Sequence, residues 1–149
     1  MEPILYAEDE ENDVFFLQLA FRDAGVTNPL QVVNNGQQAI DYLSGIGAYA
    51  DRDKHPLPRL VLLDMKMPAK SGLEVLKWIR TTPAFSTLPV IMLTSSSTDA
   101  DIHRAYIQGA NGYLAKPGNP DQMLKMVIAI KDFWLLQNRT ALSAEGASS

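Results

Sequence analysis

The chain contains no cysteine, which excludes disulfides, thiolate metal sites and cysteine nucleophiles at once. Histidine is almost as scarce: His55 and His103 lack metal-ligand spacing, and each reads as a solvated surface residue. No apolar run approaches the roughly 18 residues of a membrane span, and no basic-then-apolar leader opens the chain. Lysine and arginine nowhere cluster, and the net charge is −4, so the footprint of a nucleic-acid binder is missing. These absences leave an acidic chain of 149 residues, most simply one domain with a proper core. The expected setting is the cytoplasm, with neither membrane nor nucleic acid as partner.

What is present is a series of short aliphatic runs that end in chemistry. Leu60-Val61-Leu62-Leu63 stops at Asp64, with Pro68 four positions on. A short apolar run bounded by a turn signal marks a strand buried on both faces. Ile4-Leu5-Tyr6-Ala7 likewise runs into Glu8-Asp9-Glu10-Glu11, and Leu88 to Leu93 runs into Thr94-Ser95-Ser96. Leu30 to Val33 and the short Gly112 to Ala115 complete the set, the last leading into Lys116-Pro117-Gly118.

Helical periodicity fills the gaps. Val14, Phe16, Leu17, Ala20, Phe21 and Ala24 form an inward stripe, and Gly25 suits the C-terminal end. Ala39, Ile40 and Leu43 mark a second helix; Leu73, Val75, Leu76 and Ile79 a third; Ile102 and Ala105 a weaker fourth. Asn119-Pro120 is a strong helix start for a fifth running to about Leu136, after which residues 138–149 are small and polar and read as a flexible tail. Residues 45–58 read as a loop long for such a connection. Alternating βα units over residues 1–137 predict an α/β fold, a doubly wound five-stranded parallel sheet with helices on both faces.

In such a sheet every strand ends on one rim, which collects Glu8, Asp9, Asp64, Thr94 and Lys116. Crowded carboxylates repel unless a cation lies among them, and hard oxygen ligands suit Mg²⁺ or Mn²⁺. Asp9 and Asp64, with Glu8 directly or through water and the Lys66 carbonyl, form the expected metal site. A metal-bound carboxylate can act as a nucleophile toward phosphorus, with Lys116 and the Thr94 hydroxyl bonding the phosphoryl oxygens. Ser95, being small, leaves room for a donor.

Tyr6-Ala7-Glu8-Asp9, Leu63-Asp64-Met65-Lys66-Met67-Pro68, Leu93-Thr94-Ser95 and Gly109 through Pro117 resemble, in sequence and spacing, the receiver domain of two-component response regulators, a flavodoxin-like (βα)5 fold. The resemblance implies that Asp64 accepts a phosphoryl group from a histidine kinase, in a protein that catalyses its own phosphorylation and dephosphorylation but is not a turnover enzyme. It implies that Glu8, Asp9 and the Lys66 carbonyl serve the metal, that Thr94, Tyr113 and Lys116 couple phosphorylation to shape, and that the bond before Pro117 is cis. Lys66 and Gly118 depart from the residues common at their positions.

The long loop, the Asn-Pro helix start and Asp132-Phe133-Trp134-Leu135 look like one subgroup: small regulators paired with bacterial phytochrome-type histidine kinases. The last helix is apolar on two stripes. Met123, Val127, Ile130 and Trp134 suit the sheet, while Leu124, Ile128 and Leu135 suggest a homodimer through the last two helices and the last strand. Val14, Phe15 and Leu19 offer a kinase-docking surface on the first helix. A competing class is a Mg²⁺-dependent phosphatase of the haloacid-dehalogenase type, but it needs a second aspartate where Lys66 stands. A purely structural module with a vestigial pocket is the other alternative.

Overall fold

The computed structural model describes residues 1–138. Five parallel strands, β1 (Ile4–Ala7), β2 (Leu30–Val33), β3 (Leu60–Leu63), β4 (Val90–Thr94) and β5 (Gly112–Ala115), form one sheet in the order β2-β1-β3-β4-β5. Five helices follow them: α1 (Glu11–Asp23), α2 (Gly36–Ser44), α3 (Gly72–Thr81), α4 (Asp99–Gln108) and α5 (Pro120–Ile130). The expected doubly wound sheet is therefore present.

Strand periodicity sorts the core into two layers. Leu5, Ala7, Val61, Leu63, Val90 and Met92 point to the side covered by α2, α3 and α4. Ile4, Tyr6, Leu60, Leu62, Ile91 and Leu93 point to the side covered by α1 and α5, meeting Leu17, Phe21, Met123, Val127 and Ile130. Each fully buried aliphatic side chain contributes about 2 kcal/mol. The central strands β1, β3 and β4 are buried throughout, whereas β2 and β5 are edges with partly exposed residues. The weak apolar face expected of α4 is real, since Ala105 is its one buried residue.

Several helix starts match their sequence signals. Asn35, Ser71, Thr98 and Asn119 each accept a hydrogen bond from the backbone N–H three residues on, a cap worth about 1 kcal/mol. At the opening of α3 a side chain is forbidden: a Cβ on Gly72 would lie 2.1 Å from the Asp64 carbonyl oxygen. The α3 start is thus pressed against the residue that ends β3.

Four expectations need correction. The Lys116–Pro117 bond is trans, and no cis peptide occurs among the described residues. Trans is the default by about 0.5–1 kcal/mol, and the open turn at Gly118, where a Cβ would touch nothing within 4 Å, presents no steric need for cis. Phe16 is exposed rather than inward, its ring edge-to-face with Phe15, because Leu17, Ala20 and Phe21 already fill the contact with the sheet. The 45–58 segment is not a bare loop. Arg52 donates to the carbonyls of Tyr42, Leu43 and His55, and Tyr42 donates to the Pro56 carbonyl. That fold-back packs His55 edge-on against Tyr42 and Tyr49, so His55 is half-buried.

At the end of the chain the last helix reaches about the expected length, though not as one α-helix. After Ile130 the helix continues as π-helical turns over Lys131–Gln137. Arg59, just ahead of β3, donates to the carbonyls of Trp134 and Asn138, satisfying backbone groups that a helix end leaves open. The expected tail, Asn138 excepted, lies outside the described residues.

Candidate functional site

Glu8, one residue beyond β1, is buried to 1% exposure. Its Oε2 accepts the backbone N–H groups of Asp9 and Glu10, and its Oε1 accepts the Tyr6 hydroxyl and pairs with Lys116. Asp64, at the end of β3, is 6% exposed, and its backbone N–H donates to the Ala7 carbonyl. The strand ends of β1 and β3 therefore fix the two carboxylates against each other. Asp9 is exposed at the same rim. Glu8, Asp9 and Asp64 each place a carboxylate oxygen within 4.8 Å of the others'.

Lys116 enters from the end of β5, its side chain only 9% exposed. Its ammonium lies 3.2 Å from Asp64 Oδ2, 2.8 Å from Asp13 Oδ2 and against Glu8. Burial pushes its pKa down, but hydrogen bonds to Asp13 and Glu8 and the charges of Asp64 and Glu8 outweigh burial and hold it above the usual lysine range. For Glu8 the balance is opposite. Burial, reinforced by the Asp64 charge, outweighs the hydrogen bond from Lys116 and pushes its carboxyl up to about 7. Burial, with the Glu8 charge beside it, likewise raises the Tyr6 hydroxyl far above the usual tyrosine range.

Thr94 closes β4 at 2% exposure. Its hydroxyl oxygen accepts the Ser96 backbone N–H at 3.3 Å, and Tyr113 on β5 donates its hydroxyl to the Ser96 carbonyl at 2.7 Å. Ser96 also donates its hydroxyl to Asp101 on α4, which lowers the Asp101 carboxyl below the usual range. The expected Thr94–Tyr113 pair is thus joined through one residue of the turn after β4. Ser95 is exposed at the rim, and Lys66 is exposed in the turn after β3.

The structure brings Glu8, Asp9, Asp64, Thr94 and Lys116 to one edge, as β-strand order requires. Leu124 and Ile128 sit one turn apart on the same side of α5, but Leu135 leaves their stripe. Leu124 lines a groove of about 340 Å³ with Phe16, Leu19, Pro117 and Met123, Ile128 is exposed, and Leu135 packs into the core on the α1/α5 side. The wider turns after Ile130 move Leu135 off the stripe. Sequence reasoning missed Asp13, Tyr6 and Asp101 as members of the site. Acids in a first helical turn read as partners of the helix dipole, and a strand tyrosine reads as core.

A sequence profile of the response regulator receiver domain matches residues 4–128. The chain belongs to the response regulator receiver family. Among its relatives is the probable methanogenesis regulatory protein FilR2 of Methanothrix harundinacea, 35% identical over 92% of this chain and 86% of that one. The response regulator Rcp1 of Synechocystis is 34% identical over 89% and 88%. A crystal structure of Rcp1 in its Mn²⁺-bound form superposes with a TM-score of 0.83 at 32% identity, covering 94% of this chain and 99% of that one. The phosphorylated cyanobacterial phytochrome response regulator RcpA gives 0.85 at 31% identity over 95% and 99%. As a receiver, the chain is a signalling protein rather than a turnover enzyme, and its acidic cluster has the donor set of a divalent-metal site.

Proposed function

We propose that this receiver is a phosphorelay switch in which Asp64 accepts a phosphoryl group from the phosphohistidine of a histidine kinase. The observation that carries it is a buried aspartate at a strand end, 3.2 Å from a lysine ammonium and within metal-ligand reach of two further carboxylates. A divalent cation, Mg²⁺ or Mn²⁺, held by Glu8, Asp9, Asp64 and the Lys66 carbonyl, would when bound neutralise charge on the transferring phosphoryl oxygens. Asp64 supplies a carboxylate oxygen to phosphorus while the phosphorus–nitrogen bond of the donor breaks, and the electron pair leaves with the imidazole. Lys116 gives up a carboxylate to bond a phosphoryl oxygen. Thr94 donates its hydroxyl to a second, keeping the oxygen available to the Ser96 N–H. Ser95 leaves the approach open.

The Thr94–Ser96–Tyr113 chain then carries the change to β5 and α4, so output runs through protein contacts at this surface. The likeness to the phytochrome response regulator RcpA supports a kinase of the phytochrome type, acting in the cytoplasm. No helix among the described residues is long and apolar enough to cross a membrane. A phosphatase reading fails at Lys66, which cannot serve as the carboxylic acid that reaction needs two residues after its nucleophile. Incubation with Mg²⁺ and acetyl phosphate, read by intact mass, tests the assignment. Wild type gains a phosphoryl group and Asp64→Asn does not; an unmodified wild type, or equal modification of the variant, overturns it.

A further inference from the structure

Lys116 is surrounded by three carboxylates, and two of them have other duties. Glu8 and Asp64 are wanted by the metal and the phosphoryl group under the reading above, on which this inference rests. The third, Asp13, stands in the first turn of α1, 2.8 Å from the ammonium, with its side chain 36% exposed. An ammonium has three N–H donors, and here each faces a carboxylate. When a phosphoryl group and cation arrive, the contacts to Asp64 and Glu8 must loosen, while the one to Asp13 need not.

We infer that Asp13 is a positioning residue: it holds the Lys116 ammonium at the rim while that ammonium exchanges Asp64 for a phosphoryl oxygen. A lysine stem is flexible, and a single directional anchor removes much of the cost of aiming it. Asp13 also lines the groove between α1 and the start of α5, beside Phe16, Leu19 and Pro117. The anchor therefore ties the first helix to the β5–α5 turn through the same ammonium.

Two simpler roles make opposite predictions. If Asp13 only complements the dipole of α1, where Glu11 is the other first-turn acid, its loss affects stability and leaves phosphoryl binding alone. If it acts only as a charge near the site, its removal strengthens binding of an anion. A positioning role predicts weaker anion binding despite the lost negative charge.

The test is titration with beryllofluoride in saturating Mg²⁺, followed by fluorine NMR, on variants whose far-UV circular dichroism matches wild type. Asp13→Asn is expected to bind roughly threefold to tenfold more weakly, the range for losing one charge-assisted contact at a half-exposed site. Asp13→Glu returns toward wild type, and Glu11→Gln, which removes a charge from the same turn, binds at least as tightly as wild type. Asp13→Asn binding as well as wild type or better overturns the inference, as does Glu11→Gln losing as much as Asp13→Asn, or Asp13→Glu being no better than Asp13→Asn. Failure of wild type itself to bind beryllofluoride overturns instead the receiver assignment of Asp64.

Discussion

At the scale of single residues, the site is built from charges that are uncomfortable without ligands. Glu8 is raised to about 7 by burial, so between the usual carboxylate range and neutrality the folded protein holds a proton that the unfolded chain has lost. The folded state then binds more protons than the unfolded one, and stability falls as pH rises through that window. A cation needs the ionised form and opposes the same cost. The rise in Tm produced by Mg²⁺ should therefore be larger at about pH 8 than at about pH 6; equal rises at both would contradict the picture. A second residue stores strain of another kind. Ala69, in the turn after β3, sits at φ +66°, where only glycine is at ease, and Lys70 N–H closes back to the Pro68 carbonyl at 2.8 Å. Ala69→Gly should stabilise by about 1 kcal/mol, seen as a higher urea midpoint with unchanged slope. Lys66, three positions earlier, is exposed in the same turn, and its charge adds to the lowering of the Asp101 carboxyl.

At the scale of elements, the sequence was legible wherever packing repeats. β3 and β4 announced themselves as aliphatic runs because both of their faces are covered, and the strand-end residues followed once the strands were parallel. What escaped was contact between elements distant in the chain. No periodicity tells that Asp13 of α1 meets Lys116 beyond β5, or that Tyr6 donates to Glu8. Phe16 shows the reverse error: its spacing fits an inward stripe that Leu17 and Phe21 had already filled. Lys116–Pro117 failed for yet another reason, since an X-Pro isomer depends on small local energies that a motif does not carry. The turn after β4 gives an element-scale prediction. Tyr113→Phe removes the donor to the Ser96 carbonyl and should cost roughly 1 kcal/mol. It should also raise hydrogen exchange at the Ser96 and Ser97 amides, whereas protection equal to wild type would show that Tyr113 does not hold this turn.

At the scale of the whole molecule, apolar surface remains on the outer side of the last helical segment. Ile128, Phe133 and Leu136 are exposed there, and Phe133 packs edge-to-face on Trp134. This refines the surface expected for a homodimer, since Leu135 is occupied by the core. Gel filtration at micromolar concentration should show a dimer that Ile128→Asp and Phe133→Asp shift toward monomer; wild type eluting as a monomer with and without beryllofluoride would remove the idea. The molecule also has two distinct ends. Asp64 terminates β3, and Arg59, at its other end, clasps the Trp134 and Asn138 carbonyls while approaching Glu2 across an ion pair. Residues 59–64 of extended chain span about 17 Å. Both the first residues and Asn138 therefore lie at the pole away from the acidic rim. For anyone wishing to immobilise the protein, a linker on the exposed Glu2 side chain is a handle on its back: it leaves the chemical edge pointing outward, free to meet whatever is flowed across it.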